Sequence, residues 1–168
     1  KLMDLIELGK LLKNIKAKEF VDLKNLLSGR DRIYLIGNGG SNAVCSHLAQ
    51  DYTKALGFPS VSFSDPSRLT CYINDYGRDA AYAKFLEHFA TKDSLCILVS
   101  SSGNSKNIIS AANHCLLNDI PYIILTGFDP NNKLRLEYGK LSELEYYVPS
   151  TDYGIVENLH SIFLHSVI

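Results

Sequence analysis

The sequence contains no tryptophan, a single methionine and only four cysteines among 168 residues. The cysteines, Cys45, Cys71, Cys96 and Cys115, form no Cys-x-x-Cys pair, the spacing typical of zinc ribbons and redox-active dithiols. Two of them lie in apolar runs, where cysteine usually behaves as a small buried hydrophobe. The sequence therefore predicts a protein without disulfides, and we expect it to work in the reducing cytoplasm.

An excess of charge of either sign is also missing. Seventeen basic and eighteen acidic residues give a net charge of −1, whereas nucleic acids and anionic membranes attract broad basic surfaces. No apolar run approaches the roughly 20 residues of a membrane-spanning helix, and the first residues lack the basic-then-apolar order of a signal peptide. We therefore expect neither nucleic acid nor membrane as a partner.

Five short apolar segments alternate with segments of helical periodicity. The predicted strands are residues 33–36, 60–63, 95–99, 122–125 and 144–148. Segment 95–99 is apolar on both faces, as in a central parallel strand, and strands that alternate with helices are joined by right-handed crossovers. With 46% hydrophobic residues, the chain is long enough for one core. The sequence predicts a single domain, 1–168: a three-layer, doubly wound α/β fold with a five-stranded parallel sheet.

The N-terminal segment, residues 1–28, carries an apolar stripe that is wide for a helix covering its own sheet. The residues at helical spacing are Leu2, Met3, Leu5, Ile6, Leu8, Leu11, Leu12 and Ile15. A stripe of this width is buried most readily against symmetry copies of itself. We therefore expect this segment to pack in a homo-oligomer.

Loops of small polar residues follow the first and third predicted strands. The first comprises Gly37, Asn38, Gly39, Gly40 and Ser41, and the second comprises Ser100, Ser101, Ser102, Gly103, Asn104 and Ser105. Glycine allows a ligand to approach the backbone closely, and a helix that begins after such a loop directs free N–H groups at it. Because ligands of doubly wound sheets bind beyond the carboxyl ends of the strands, we expect both loops to meet at one anion-binding site.

The second loop offers four serine hydroxyls, from Ser100, Ser101, Ser102 and Ser105, beside a predicted helix N-terminus. Such hydroxyls can hold a phosphate group without lysine or arginine. The alternative is an ordinary serine-capped helix, but capping requires only one hydroxyl. Between the loops, the helical pattern of residues 67–89 is expected to break at 74–77, which would present Asn74 and Asp75 as side chains of a turn.

The two loops, together with Asn74 and Asp75, resemble a sugar isomerase (SIS) domain of the phosphoheptose isomerase type over nearly the whole chain. The resemblance implies a flavodoxin-like fold, a tetramer with a central helical bundle, and an aldose–ketose isomerase. The implied reaction converts sedoheptulose 7-phosphate into D-glycero-D-manno-heptose 7-phosphate for surface polysaccharide. The implied sugar contacts are Asn38, Gly39, Gly40, Ser41, Asn74 and Asp75, and the serine loop is expected to hold the phosphate.

The same resemblance implies a site for zinc or another divalent cation at His47, Asp51, Glu157 and His165. Asp51 would be the base, His165 the acid and Glu157 an alternative base. The family has glutamate at position 51 and glutamine at position 157, so this chain departs from it twice. Spacing is compatible with the set, because residues four apart share a helix face, and imidazole and carboxylate groups are suitable zinc ligands.

Three other functions need comparison with this hypothesis. A dinucleotide-binding protein would need Gly-x-Gly-x-x-Gly, and Asn42 stands where the third glycine belongs. A non-catalytic SIS adaptor would lose the acid–base residues, whereas this chain retains His47 and His165. An SIS isomerase of another sugar phosphate, such as an amino-sugar phosphate, would keep the serine loop and stays open.

Overall fold

Five strands form the sheet at the centre of the molecule. They are β1 (Ile33–Gly37), β2 (Ser60–Ser62), β3 (Leu95–Ser100), β4 (Tyr122–Gly127) and β5 (Leu144–Val148). In this computed structural model, which describes residues 2–168, the strands lie in the order β2-β1-β3-β4-β5, and every pairing is parallel. Lys1, which belongs to the predicted N-terminal segment, lies outside the described residues. The predicted doubly wound α/β fold with flavodoxin-like order is confirmed.

Helices cover both faces of the sheet. They are α1 (Leu5–Lys13), α2 (Ala17–Leu27), α3 (Gly39–Leu56), α4 (Pro66–Tyr76), α5 (Ala81–Phe89), α6 (Lys106–Leu117), α7 (Lys133–Tyr138) and α8 (Tyr153–His165), with a short 3-10 turn at Gly139–Leu141. The predicted helical and strand segments are therefore present, and the differences lie at their ends.

Two predicted boundaries were wrong. Helix α3 begins at Gly39, so two of the expected loop glycines form its first turn. Helix α4 continues through Asn74 and Asp75 and ends where Gly77 adopts a φ of 79°. The break predicted at 74–77 therefore lies just after these two side chains, because turn-forming residues are tolerated in a last helical turn and a glycine with positive φ ends it.

The sheet separates two hydrophobic layers. Helices α2, α3 and α8 pack on one face, and α5, α6 and α7 pack on the other. Every residue of β3 is buried, as its apolar sequence predicts for a central strand. Because all five strands run parallel, their carboxyl ends share one edge of the sheet, and the two predicted loops lie there.

Helices α3 and α8 are joined inside the first of these layers. The hydroxyl of Tyr52, on α3, donates a 2.7 Å hydrogen bond to the carbonyl of Leu164, on α8. Tyr52 and Leu164 are both fully buried. A buried bond of this kind is protected from competing water and fixes the crossing of the two helices. The residues next to this pair, Asp51 and His165, are thereby placed side by side.

Helix α1 is attached to the domain by one edge only. Leu8 and Leu11 are half-buried against the core, whereas Leu5 is 68% exposed and Ile6 is 72% exposed. None of the residues of α1, all of which the structure describes, is buried. Within residues 2–168, no helix combines the length and apolar character that crossing a bilayer requires.

Candidate active site

A cavity of about 250 Å³ lies at the carboxyl ends of β1 and β3. It is lined by Asn38, Gly39, Gly40, Ser41, Val99, Ser100, Ser101, Ser102, Ser105, Tyr153 and Glu157. The glycine loop and the serine loop therefore meet at one site, as their positions after neighbouring strands led us to expect. Tyr153 was not predicted from the sequence.

The first wall of the cavity is the N-terminus of α3, which begins immediately after β1. A Cβ atom on Gly37 would lie 2.8 Å from the backbone carbon of Ser41, so only glycine allows the helix to start so close to the strand. Asn38, at the N-cap position, makes no side-chain capping bond. The N–H groups of this first turn are the kind that bind anions.

The opposite wall is the serine loop, which presents hydroxyl groups with few protein partners. Ser101 is buried, and its Oγ has no hydrogen-bond partner among the described residues. Ser105 occupies the N-cap position of α6 without making a capping bond; the Ser100 hydroxyl donates to it over 3.4 Å. A buried hydroxyl without a partner is unfavourable, so these hydroxyls are suited to a ligand rich in acceptor oxygens.

Neighbouring loops hold the serine loop in place. Gly103 has a φ of 64°, and its carbonyl accepts a 2.9 Å bond from the Leu134 N–H, while the Ser101 carbonyl accepts one of 2.9 Å from the Gly127 N–H. A Cβ atom on Gly103 would collide with Asn132. The loop therefore has a fixed backbone before any ligand binds.

A reciprocal amide pair joins the two walls. Asn38 Nδ2 donates to Asn107 Oδ1, and Asn107 Nδ2 donates to Asn38 Oδ1, each over 2.9 Å. The Tyr82 hydroxyl also donates to Asn38 Oδ1, at 3.0 Å. These bonds engage both ends of the Asn38 amide, which was expected to contact the sugar. Sequence reasoning missed Tyr82 and Asn107, since nothing local marks a contact between residues 69 positions apart.

Glu157 lies in the cavity and not with the other three predicted metal ligands. A Cβ atom on Gly40 would lie 2.6 Å from the Glu157 carboxyl carbon, so the carboxylate rests directly on the first turn of α3. Eight residues of helix separate it from His165, about 12 Å along the axis at 1.5 Å per residue. The predicted set of four is therefore divided between two neighbouring places.

Burial raises the pKa of Glu157, and a hydrogen bond from the Ser41 backbone N–H lowers it by a smaller amount. The net effect is a carboxyl group that is protonated more readily than an exposed glutamate. In a cavity with hydroxyl and N–H donors, it is a suitable group for taking up and returning a proton.

The remaining three predicted ligands form a group on the outer side of the α3–α8 crossing. One ligand atom each from His47, Asp51 and His165 lies within 4.8 Å of the others. His47 Nε2 is 3.2 Å from Asp51 Oδ2, and His165 Nε2 is 3.8 Å from the same oxygen. The His47 side chain is exposed and the other two are half-buried, so the group is open to solvent.

The hydrogen bonding of His165 fits a metal ligand. Its Nδ1 lies 2.8 Å from the Ser161 carbonyl, and because a carbonyl only accepts, Nδ1 carries the proton in the neutral ring. The lone pair is then on Nε2, which faces Asp51. A ligating histidine is usually oriented in this way through its second nitrogen. Two imidazoles and one carboxylate with open positions suit a divalent cation such as zinc.

His160, on the buried face of α8, is not part of this group. Its Nε2 lies 3.0 Å from the Thr126 carbonyl, and burial lowers its pKa to about 4. The ring is therefore neutral at physiological pH and donates from Nε2. This hydrogen bond joins α8 to the end of β4.

Asn74 and Asp75 do not line the cavity. Both are exposed on α4, where Asn74 Nδ2 donates to Asp75 Oδ1 over 2.9 Å. Cys71, one turn earlier, donates from Sγ to Asp75 Oδ2 over 3.4 Å. The structure thus brings together eight of the ten predicted substrate contacts, leaving out these two.

Comparison with known proteins finds relatives over most of the chain. The family model for the SIS domain matches residues 16–127. The phosphoheptose isomerase of Fusobacterium nucleatum is 30% identical over 151 residues, which cover 87% of this chain and 75% of that protein. That of Cytophaga hutchinsonii is 30% identical over 99% of this chain and 87% of its own length. The solved structure of phosphoheptose isomerase from Neisseria gonorrhoeae superposes with a TM-score of 0.86 at 27% identity, covering 96% of this chain and 90% of that one.

The raised pKa of Glu157 predicts a pH-dependent effect of Glu157→Gln on stability. A carboxyl with a raised folded pKa contributes stability below its ordinary pKa of 4.5, and this stability is lost as pH rises through the folded value. We therefore expect Glu157→Gln to gain stability relative to the wild type as the pH rises from about 4 through the raised folded value. Urea denaturation across this range measures it, with the exposed Glu143→Gln as control. A pH-independent difference would contradict the prediction.

Proposed function

The chain belongs to the SIS-domain family of the phosphoheptose isomerase type, and from this premise we propose that it is an aldose–ketose isomerase. The reaction converts sedoheptulose 7-phosphate into D-glycero-D-manno-heptose 7-phosphate. The observation that carries the proposal is the cavity in which a serine loop and a helix N-terminus face each other beside a carboxylate. It offers an anion site and a proton carrier within one small volume.

The phosphate group is proposed to bind between the serine loop and the first turn of α3. Support comes from the unpartnered Ser101 hydroxyl, from Asn38 and Ser105, whose side chains make no capping bond at the N-termini of α3 and α6, and from the fixed backbone at Gly103. A phosphate offers acceptor oxygens to all of these donors, and bonds to a charged group are stronger than those between neutral groups. Lysine and arginine are absent from the lining residues that the structure describes, so hydroxyl and N–H donors would supply the binding.

Isomerisation moves a proton from C1 to C2 of the sugar, and one group can carry it in both directions. We assign this role to Glu157, because it lines the phosphate cavity and its pKa is raised. Asp51, the base implied by family resemblance, lies instead between two imidazoles and is better placed as a metal ligand. His165, the acid implied by the family resemblance, uses Nδ1 for the Ser161 carbonyl and turns Nε2 towards Asp51, so it too is better placed as a metal ligand. The proton that moves between the O1 and O2 oxygens of the sugar would then be exchanged through solvent, to which this group is open.

His47, Asp51 and His165 are proposed to hold the metal, zinc or another divalent cation. When bound, such a cation supplies charge that polarises the sugar oxygens. The α3–α8 crossing places the three side chains around the proposed cation position. The Ser161 carbonyl orients the His165 ring. Glu157 is not needed as a fourth ligand, because a catalytic site of this type keeps an open position.

The proposed setting is the cytoplasm, with the heptose phosphate product used for surface polysaccharide. Cys45, Cys96 and Cys115 are buried with free thiols, and Cys71 is a free exposed thiol. Free thiols are usual where the medium is reducing. The family resemblance is the basis for the polysaccharide pathway.

We propose in addition that the protein is a homotetramer assembled through its N-terminal helices. The support is the set of exposed apolar residues in α1, in α2 and just before α1: Leu2 is 94%, Leu5 68%, Ile6 72% and Val21 57% exposed. Exposed apolar residues concentrated on one segment are typical of an interface. Since the net charge is −1, we propose no nucleic-acid partner.

Incubation with sedoheptulose 7-phosphate should yield the aldoheptose phosphate, detectable by NMR. Ser102→Ala and Ser105→Ala should each raise KM by about tenfold or more, since a hydrogen bond to a charged group contributes about 1.5–3 kcal/mol. Ser67→Ala, on the exposed start of α4, is the matched control and should leave KM unchanged. Absence of turnover with and without added zinc would instead favour a non-catalytic SIS adaptor or an isomerase of another sugar phosphate.

Metal binding can be tested without turnover. After chelation and dialysis, calorimetric titration with zinc should show one site per chain in the wild type. His47→Ala and His165→Ala should each weaken zinc binding by more than about tenfold, since even the partners of metal ligands contribute that much. His88→Ala, an exposed histidine on α5, is the control. Equal affinity in all four proteins would place the metal elsewhere.

The tetramer predicts a particle of four times the 18.7 kDa chain mass in light scattering at micromolar concentration. Leu5→Glu and Ile6→Glu together should reduce the mass, because a charge in an apolar interface is strongly unfavourable. Leu136→Glu, at an equally exposed leucine on α7, should leave it unchanged. A wild-type protein that is monomeric and fully active would refute the proposed assembly.

A further inference from the structure

Phe128, the residue after β4, has an unusual backbone conformation. Its φ is 59°, in the left-handed region. This region is uncommon for any residue other than glycine and is an outlier for a bulky aromatic one. Strained residues of this kind persist where the surrounding structure fixes them, and they concentrate at functional sites.

Hydrogen bonds on both sides fix Phe128 in this conformation. Its N–H donates to the Ser150 carbonyl over 2.9 Å, and its carbonyl accepts a 2.9 Å bond from the Tyr147 hydroxyl. The preceding residue, Gly127, is bonded to the carbonyl of Ser101 in the serine loop. Phe128 is therefore linked to the wall of the cavity through the residue that precedes it.

The side chain of Phe128 supports the ring of Tyr153. The two rings meet edge to face, with centroids 4.6 Å apart, a favourable arrangement for aromatic pairs. Tyr153 is 59% exposed, yet it lines the cavity beside Glu157 and the serine loop. It is the sole aromatic ring among the lining residues that the structure describes. The packing on Phe128 gives this exposed ring a fixed place at the cavity.

We propose that Tyr153 is a substrate-binding residue that recognises the carbon chain of the sugar phosphate, and that Phe128 is the positioning residue that holds its ring. The inference rests on the proposed sugar-phosphate function and adds a residue to the same site. The serine loop would bind the phosphate group, which every sugar phosphate shares. Tyr153 would distinguish the sugar phosphate from phosphate alone.

The chemistry of tyrosine suits this role. Its ring offers an apolar surface to the C–H groups of the carbon chain, while its hydroxyl stays compatible with water and sugar hydroxyls. A ring held in advance loses little conformational freedom when ligand binds. It would also keep the carbon chain close to Glu157, which the proton transfer requires.

Binding of two probes tests the inference without catalysis. One is inorganic phosphate, and the other is the heptitol 7-phosphate made by borohydride reduction of sedoheptulose 7-phosphate, which has no carbonyl group to isomerise. In Tyr153→Ala we expect Kd for the heptitol phosphate to rise about tenfold, equivalent to about 1.4 kcal/mol, with Kd for inorganic phosphate unchanged. Tyr153→Phe keeps the ring and should bind both probes as the wild type does.

Phe128→Gly provides a second variant, because glycine accepts a positive φ without strain. It removes the support of the Tyr153 ring and should weaken heptitol phosphate binding selectively, by less than Tyr153→Ala does. Phe89→Ala, at a partly exposed aromatic residue outside the cavity, is the control and should change neither Kd.

The outcomes separate this inference from the proposed function. In one outcome, the wild type isomerises the sugar while Tyr153→Ala leaves both Kd values unchanged or raises them equally. That result would overturn the role of Tyr153 and leave the proposed function standing. A wild type that binds heptitol phosphate selectively but does not isomerise the sugar would overturn the proposed reaction, while a selective loss in Tyr153→Ala would still support this inference. A wild type that binds neither probe would overturn both.

Discussion

The crossing of α3 and α8 is the constraint on which the arrangement of the site depends. The buried bond between the Tyr52 hydroxyl and the Leu164 carbonyl fixes it from inside the core. On the outer side, the adjacent residues Asp51 and His165 meet, and two turns earlier on α8, Glu157 reaches the first turn of α3. A single helix pair thus sets both the His47–Asp51–His165 group and the position of the carboxylate in the cavity.

Most of the fold follows from local sequence patterns. Strand β3 is apolar at nearly every position, and burial of both its faces is the direct result. The glycine and serine loops follow neighbouring parallel strands, so their meeting at one edge could also be predicted. The boundaries at Gly39 and Gly77 were harder, because the end of a helix depends on which glycine adopts a positive φ.

The parts that could not be predicted depend on contacts between distant residues. The Asn38–Asn107 pair and the position of Tyr153 arise only when the sheet and both loops are assembled. Glu157 could not be placed from the sequence either, although it shares a helix with His165. Its spacing from His165 allows both to bind one ion, but the carboxylate lies against the first turn of α3. Periodicity gives the face of a helix and leaves open how far along its axis a side chain reaches.

The contact between Gly40 and Glu157 has an evolutionary consequence. Because a Cβ atom at position 40 would occupy the space of the Glu157 carboxyl group, a side chain at position 40 would displace that carboxyl group. A lineage that acquires alanine at position 40 would have to shorten or redirect the side chain at position 157, and would move its cavity carboxylate in doing so. A single substitution at position 40 could therefore move the carboxylate of this cavity without any change at position 157.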